Sequence, residues 1–387
     1  MKIEKKTVDE NIMDREILDK IIALRCELHK IPERSMEEYQ TKELLMDFMN
    51  RETDAQVHDC GNWFYAVFRI PCTGEENEAI AFRADMDAVC GPDGSPGHYC
   101  GHDGHSAALA GLGLVLSKWK RDEWDEQSDL RGTRSVYLIF QPAEETGQGA
   151  MLCAPLLHEK QIREIYGFHN IPGYPRGAVL LKRGTFACAS TGLEIAFHGA
   201  QAHAAYPEAG RNPATALAHT ICDVHDEAAR KNGQKGMVLS TVIGIEAGSR
   251  AYGVSAADGV LRLTVRAERE EDFGELLDYV QETVGKHAGE EGLDSHITEI
   301  ERFPATQNHD AALERVRTAA WWAGMETIEL KEPFRWSEDF GYYLQETEGA
   351  FVGIGDGEEY PQLHTQEYQF PDEIIETAVT LFAAILR

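Results

Sequence analysis

The sequence predicts an α/β fold: a mostly parallel sheet with helices on both faces, interrupted by a second, α+β unit. Three observations predict it. Apolar strand-like runs alternate with amphipathic helical stretches up to about residue 169, the pattern that builds parallel sheets through helical crossovers. Carboxylates and imidazoles gather just beyond the ends of those strands, where open α/β sheets place their ligands. Around residues 185–190 the texture changes to longer strands, and after about residue 300, at Arg302-Phe303-Pro304-Ala305-Thr306, the first pattern resumes.

The elements follow in order. Residues 10–31 carry Ile17, Ile21, Leu24 and Leu28 at helical spacing and stop before Pro32. A second helix is expected over 36–50, with Leu44, Leu45, Phe48 and Met49. Strands are expected at 63–70 and 78–83, a helix over 106–120, a strand at 135–140, a helix near 148–158 and a strand at 164–169. In the inserted stretch, 193–197, 237–245 and 260–268 read as strands, and 213–231 and 271–288 as helices. A helix over 310–324 and the segments 351–355 and 372–386 return to the first unit. The expected domains are therefore 1–188 with 301–387, and 189–300 between them.

A chain of 387 residues can bury two cores, and 43% hydrophobic with 27% charged residues is ordinary for a globular protein. With 66 acidic against 37 basic residues the net charge is −29. Such a surface repels phosphate backbones and anionic lipid, which argues against nucleic acid and membranes as partners. The segment Met1–Thr7 lacks the apolar core of a signal peptide, and the longest apolar run, 107–116, is too short to cross a bilayer. A cytoplasmic location is expected. The eight cysteines include no Cys-x-x-Cys pair. They are expected to be free thiols, most of them buried and inert, with Cys100 the exception.

The densest chemistry lies in Cys100-Gly101-His102-Asp103-Gly104-His105. Gly101 and Gly104 allow the turn that would bring Cys100 and His102 to one point. A buried-helix pattern follows, so Asp103 or Ser106 is expected to cap it. Further donors stand past strand ends elsewhere: Asp85 and Asp87, Glu144 and Glu145, His169, and His364 near the far end. Each has an ordinary explanation by itself: a solvated Glu pair, a core histidine, an Asp-x-Asp turn. Here the Glu pair follows an apolar strand and Gln141-Pro142, and five segments contribute in the same structural place. Thiolate, imidazole and carboxylate together suit a divalent ion such as Zn, Mn, Ni or Co. They are too many for one tetrahedral ion. They are enough for two ions sharing a water, with one carboxylate left to take its proton. Cys100 as a nucleophile fits less well, because a base two residues away in a loop is poorly placed and no third group orients it.

The motifs Arg83-Ala-Asp-Met-Asp-Ala88, Cys100-Gly-His-Asp-Gly-His105, Gln141-Pro-Ala-Glu-Glu145 and Phe168-His-Asn170 resemble those of the M20 metallopeptidases. So do Gln201-Ala-His-Ala-Ala-Tyr-Pro207, Trp336-Ser-Glu-Asp-Phe340 and Leu363-His-Thr365, all in the same order. The resemblance covers nearly the whole chain. It is greatest to the amidohydrolase branch of hippurate hydrolases, N-acyl-amino-acid deacylases and plant auxin-conjugate hydrolases. It implies a di-metal hydrolase domain with an inserted lid and dimerisation domain, acting on an N-acyl amino acid or peptide-like small molecule as a homodimer. By the same resemblance, Cys100, His102, Glu145, His169 and His364 hold two divalent ions, with Cys100 between them. Glu144 is the general base. Asp87 and Asp103 support the site, and Asp85 stands where other branches carry a histidine ligand. His203 reaches from the lid, often of a partner subunit, to stabilise the oxyanion. Arg266 and Asn212 are candidates for binding substrate.

Two departures bear on specificity. The family's lid loop reads Asn-Val-Ile-Pro, whereas Tyr252-Gly253-Val254-Ser255-Ala256 stands here, so Gly253 replaces the asparagine. Arg266, thirteen residues on, is kept and could hold a substrate carboxylate. The segment between Cys90 and Tyr99 is also short, and His98 and His105 beside it are expected to be structural. Two other functions stay open: a dipeptidase or carboxypeptidase of the same family, and a non-catalytic metal- or ligand-binding relative. A pure binder would have no use for an unmetallated Glu144.

Overall fold

The computed structural model describes residues 13–72, 79–122 and 132–387. Residues 10–12, expected to open the first helix, and Glu78, expected to open a strand, lie outside them. The chain divides into two units, Met1–Phe186 with Gln307–Glu332 and Asp339–Arg387, and Ala187–Thr306 with Pro333–Glu338. The short segment Pro333–Glu338 thus groups with the second unit, although it falls inside the stretch 301–387 expected to belong to the first. It has no periodicity that would mark it in the sequence.

The first unit is built on an eight-stranded sheet. Its strands run in the order Gln56–Asp59, Phe64–Cys72, Gly132–Gln141, Ala79–Asp85, Ile162–Pro172, Glu348–Gly357, Val179–Leu181, Thr327–Glu329. Four of the seven neighbouring pairs are parallel, including all three at the centre. The central strand Ala79–Asp85 is buried at every residue, as a parallel strand covered on both faces must be. Arg83 and Asp85 therefore lie in the interior and have to find partners there.

Helix Arg15–Leu28 begins at Asp14, whose side chain accepts the Ile17 N–H at 2.9 Å, and buries Ile17, Ile21, Leu24 and Leu28. Helix Tyr39–Glu52 starts later than position 36, because Met36 takes φ 68° and cannot join it. Helix His102–Asp122 supplies the wholly buried run from 107 to 116, and the C-terminal helix Ile375–Ile385 packs against it. The single helix expected near 148–158 is two, Gly149–Cys153 and Pro155–Glu159, divided ahead of Pro155, which has no N–H to continue the ladder.

The second unit is a four-stranded antiparallel sheet ordered Val238–Ala247, Asp258–Ala267, Ala189–His198, Asp294–Phe303, packed with helices Ala214–Lys231 and Glu270–Glu291. The strand Asp294–Phe303 is absent from the sequence-based expectation. Only its last residue is buried, so it shows no apolar alternation.

No helix among the described residues is long and apolar enough to cross a membrane. The seven cysteines whose side chains are described are free, but of these only Cys100, Cys153 and Cys188 are buried. The expectation that most are buried fails. Cys60, in the turn after an edge strand, Cys90, in a two-residue strand, and Cys222, on the solvent side of a helix, are exposed.

Candidate metal centre

The first unit brings its donors to the carboxyl ends of the parallel strands. Strand Ala79–Asp85 delivers Asp85 and then Asp87, Gly132–Gln141 leads into Glu144 and Glu145, and Ile162–Pro172 carries His169. Helix His102–Asp122 opens on His102 itself. Gly101 makes the turn before it at φ 94°, and a Cβ there would stand 2.8 Å from Asn170 Oδ1. Asp103 accepts the Gly104 N–H at 3.0 Å within the first helical turn. Ser106 does not cap the helix. Its hydroxyl donates to the Asp85 carbonyl and ties the helix to the central strand.

Cys100 is common to two groups of donors. One joins it to His102 and His169, the other to Glu145 and His364, and within each group the donor atoms lie within 4.8 Å of one another. Its Sγ is 3.5 Å from His169 Nε2 and 3.3 Å from His364 Nε2. Glu145 Oε1 is 3.7 Å from His102 Nε2 and 3.5 Å from His364 Nε2. Glu144 Oε2 comes to 3.9 Å from His102 Nε2, but Glu144 belongs to neither sulfur-centred group. His364 takes φ 62°, and its N–H donates to the Tyr99 carbonyl at 2.8 Å, which fastens the C-terminal loop beside Cys100.

The donor set fits divalent ions. His102 Nε2 and Glu145 Oε1 are buried and have no hydrogen-bond partner among the described residues, an expensive state unless a cation meets them. His102 turns its other nitrogen to Asp87 Oδ1 at 3.2 Å, and His169 turns Nδ1 to the Asn170 carbonyl at 2.8 Å. Each arrangement fixes the ring and leaves Nε2 aimed at the cluster. Burial opposes charge on His102, but Asp85 and Asp87 outweigh it and raise the imidazole to about 10. The site therefore draws positive charge to Nε2, and a metal ion would replace that proton. Burial and the neighbouring His105 and His102 hold His169 well below its usual range. Burial, with Glu145 and Glu144 nearby, pushes the Cys100 thiol up, a cost that a metal ion removes by taking the thiolate.

Around the donors lies a buried polar frame. Arg83 Nη1 donates to Asp85 Oδ2 at 2.8 Å, Nη2 to Asp339 Oδ1 at 2.6 Å and Nε to Gln141 Oε1 at 2.8 Å. Asp85 Oδ1 meets His105 Nδ1 at 2.7 Å, and His105 Nε2 meets Asn170 Oδ1, so His105 is held at both nitrogens. Asn170 and Tyr368 then donate to Asp356 Oδ2 at 3.3 and 3.1 Å. Burial raises Asp356 to about 7 against those two donors.

Sequence reasoning missed Asp356 and Tyr368, and two more members of the frame. Ser35 Oγ donates to Asp87 Oδ2 at 2.6 Å, and Glu38 Oε1 accepts the Ala143 N–H at 2.8 Å. Burial, with Asp87 nearby, raises Glu38 to about 7. Their only sequence signal was a polar segment before a helix, which ordinarily reads as a solvated start.

The remaining candidates belong to the second unit. His203 is exposed, and its segment is held by the loop at 252–256. His203 pairs with Val254, Ala204 N–H donates to the Gly253 carbonyl at 2.9 Å and Ser255 N–H to the Ala202 carbonyl at 2.8 Å. Asn212 accepts the Ala214 N–H at 3.0 Å and serves the start of helix Ala214–Lys231. Arg266 Nη1 donates to the Arg335 carbonyl at 2.9 Å and to Ser337 Oγ at 3.0 Å. It thereby ties Pro333–Glu338 to the sheet of its own unit.

A parallel-centred sheet with sulfur, nitrogen and oxygen donors converging at its carboxyl edge defines a metal-dependent hydrolase of the α/β class. The chain belongs to peptidase family M20/M25/M40, whose model matches residues 81–387. It is 28% identical over 389 residues to N-acetyldiaminopimelate deacetylase of Shouchella clausii, covering 95% of this chain and 98% of that protein. It is 29% identical over 345 residues to N-acetyl-L-cysteine deacetylase of Bacillus subtilis, covering 87% and 80%. Among solved structures, it superposes with a TM-score of 0.76 on a dinuclear metal-binding peptidase of the M20 family from Bacillus subtilis, at 24% identity and 97% and 98% coverage.

Proposed function

We propose that the protein hydrolyses the amide bond of an N-acyl amino acid or a related small amide. The observation that carries this is Cys100, shared between two donor groups, with the Glu144 carboxylate beside them and outside both. Two divalent ions held by Cys100, His102, Glu145, His169 and His364 would polarise the amide carbonyl and acidify a water. Glu144 takes the proton of the attacking water and delivers it to the leaving nitrogen. Asp87 holds His102 in the ligating tautomer, while Asp85 and Asp103 keep the surrounding turn in place. His203 donates to the oxyanion of the tetrahedral species. Arg266 is the group proposed to meet the substrate's carboxylate, and Asn212 is a further candidate for binding substrate.

The substrate class draws support from the relatives, which are deacetylases of N-acetylated amino acids. The test is a panel of N-acetyl, benzoyl and aryl-acyl amino acids against dipeptides, with the metal-loaded protein. At least one N-acyl amino acid is expected to exceed every dipeptide in kcat/KM by about tenfold or more, a gap of ~1.4 kcal/mol in transition-state binding. A dipeptide preference would make the protein a peptidase instead. Metal retained without any hydrolysis would make it a binder.

We further propose a cytoplasmic homodimer. The free thiols support the compartment. The edge strand Val238–Ala247 supports the dimer, because it exposes Val242, Ile243 and Ile245 to 42, 62 and 53%, and an apolar edge is a template for pairing. Sedimentation should show a dimer that Ile243→Lys converts to a monomer. A monomeric wild type would end the proposal, and an undisturbed dimer in the variant would move the interface elsewhere.

A further inference from the structure

Glu38 lies in the first unit immediately before helix Tyr39–Glu52 and is 3% exposed. It has no cationic partner among the described residues. Its Oε1 instead accepts two backbone N–H groups, from Met36 at 2.9 Å and from Ala143 at 2.8 Å. Both of those residues are left-handed, Met36 at φ 68° and Ala143 at φ 50°. An L side chain adopts that region only against a steric penalty, so something around it must hold it there. Here one carboxylate oxygen holds both.

Ala143 is the residue before Glu144. Its carbonyl is fixed as well, accepting the N–H groups of Gln148 and Gly149 at 3.2 and 3.1 Å. That contact is open only to glycine at 149, because a Cβ there would fall 1.6 Å from the Pro142 carbonyl oxygen. The backbone on the far side of Glu144 is gripped too. Glu145 N–H donates to Asp87 Oδ2 at 3.0 Å, and the same oxygen accepts Ser35 Oγ. The segment from Ser35 to Glu38 therefore holds the Glu144–Glu145 pair on both sides, directly at Ala143 and through Asp87 at Glu145. A turn of the Ala143 peptide would swing both carboxylates away from His102.

We propose that Glu38 is a positioning residue for the hydrolysis, fixing the left-handed Ala143 peptide so that Glu144 is aimed at the reacting water. The role requires a hydrogen-bond acceptor at one point in space. It does not require a charge, and it rests on Glu144 being the general base.

The test compares three variants of the metal-loaded full chain by kcat, KM and bound metal. Glu38→Gln keeps an acceptor at Oε1. Glu38→Asp keeps the charge but withdraws it by one methylene, and Glu38→Ala removes both. Glu38→Asp and Glu38→Ala are expected to lose about a hundredfold in kcat with KM and metal content kept, the scale of a misplacement near 1 Å. Glu38→Gln should stay within about threefold of wild type, as an intact acceptor implies. A brace needed only for folding would lower thermal stability in Glu38→Asp and leave kcat unchanged, and that result overturns the proposal. So does Glu38→Gln as slow as Glu38→Asp, since charge would then be what matters. If Glu38→Ala does not fold, the Gln and Asp pair still decides. Turnover surviving in Glu144→Ala would remove the base assignment, whereas an inactive Glu144→Ala beside a fully active Glu38→Asp would remove only the positioning role.

Discussion

Glu144→Ala should lose turnover by about a thousandfold or more while binding as much metal as the wild type, because positioned general bases contribute roughly 10² to 10⁴. The two expectations have separate causes. The sulfur-centred groups use Cys100, His102, His169, Glu145 and His364, so truncating Glu144 leaves every one of their donor atoms in place. What disappears is the carboxylate that faces His102 Nε2 and that those groups do not use. Steady-state kinetics should show the loss in kcat with KM little changed, the signature of an interaction made in the transition state. Metal analysis of the same sample completes the test. Turnover near wild type would refute the mechanism. Loss of metal with loss of turnover would make Glu144 a ligand.

Arg83→Met should cost about 3–5 kcal/mol of stability, the range for removing one partner of a buried ion pair. Arg83 is 1% exposed, and its three nitrogens serve Asp85, Asp339 and Gln141. Burial works to neutralise Asp85, yet His102, His105 and Arg83 outweigh it and hold the carboxyl well below its usual range. Burial does raise Asp339, to about 6, against the pull of Arg83. The methionine fills the stem's volume and leaves both carboxylates facing an apolar neighbour. Arg83→Lys should recover little, because a single ammonium cannot reproduce the planar fork. Urea unfolding of wild type and both variants checks this, with a loss under about 1 kcal/mol ruling out the frame as a stability element.

Much of the fold was legible because its strongest signals are local. Ile17, Ile21, Leu24 and Leu28 mark a helical face by spacing alone, and that face is buried. The convergence of the candidate donors was legible for a related reason. They sit in short motifs just past apolar strands, where the architecture already directs attention. What escaped depends on contacts across sequence. Glu38 and Ser35 act on residues some fifty to a hundred positions away, and nothing near them in sequence announces it. Strand Asp294–Phe303 escaped because exposure removes the pattern, and Pro333–Glu338 because six residues are too few to have one. The cysteine expectation failed because thiols were assigned by compartment, whereas their burial follows from which face of each element they occupy.

The strand order has a consequence for biosynthesis. Strand Glu348–Gly357 is made long after both of its neighbours, yet it lies between them in the sheet, beside Ile162–Pro172 and Val179–Leu181. A nascent chain can complete Ala187–Thr306, a continuous stretch, while the ribosome is still reading the remainder. The first unit has to wait with a gap in its sheet, and its second sulfur-centred group has to wait for His364. Loading of that second group would therefore require synthesis at least through His364.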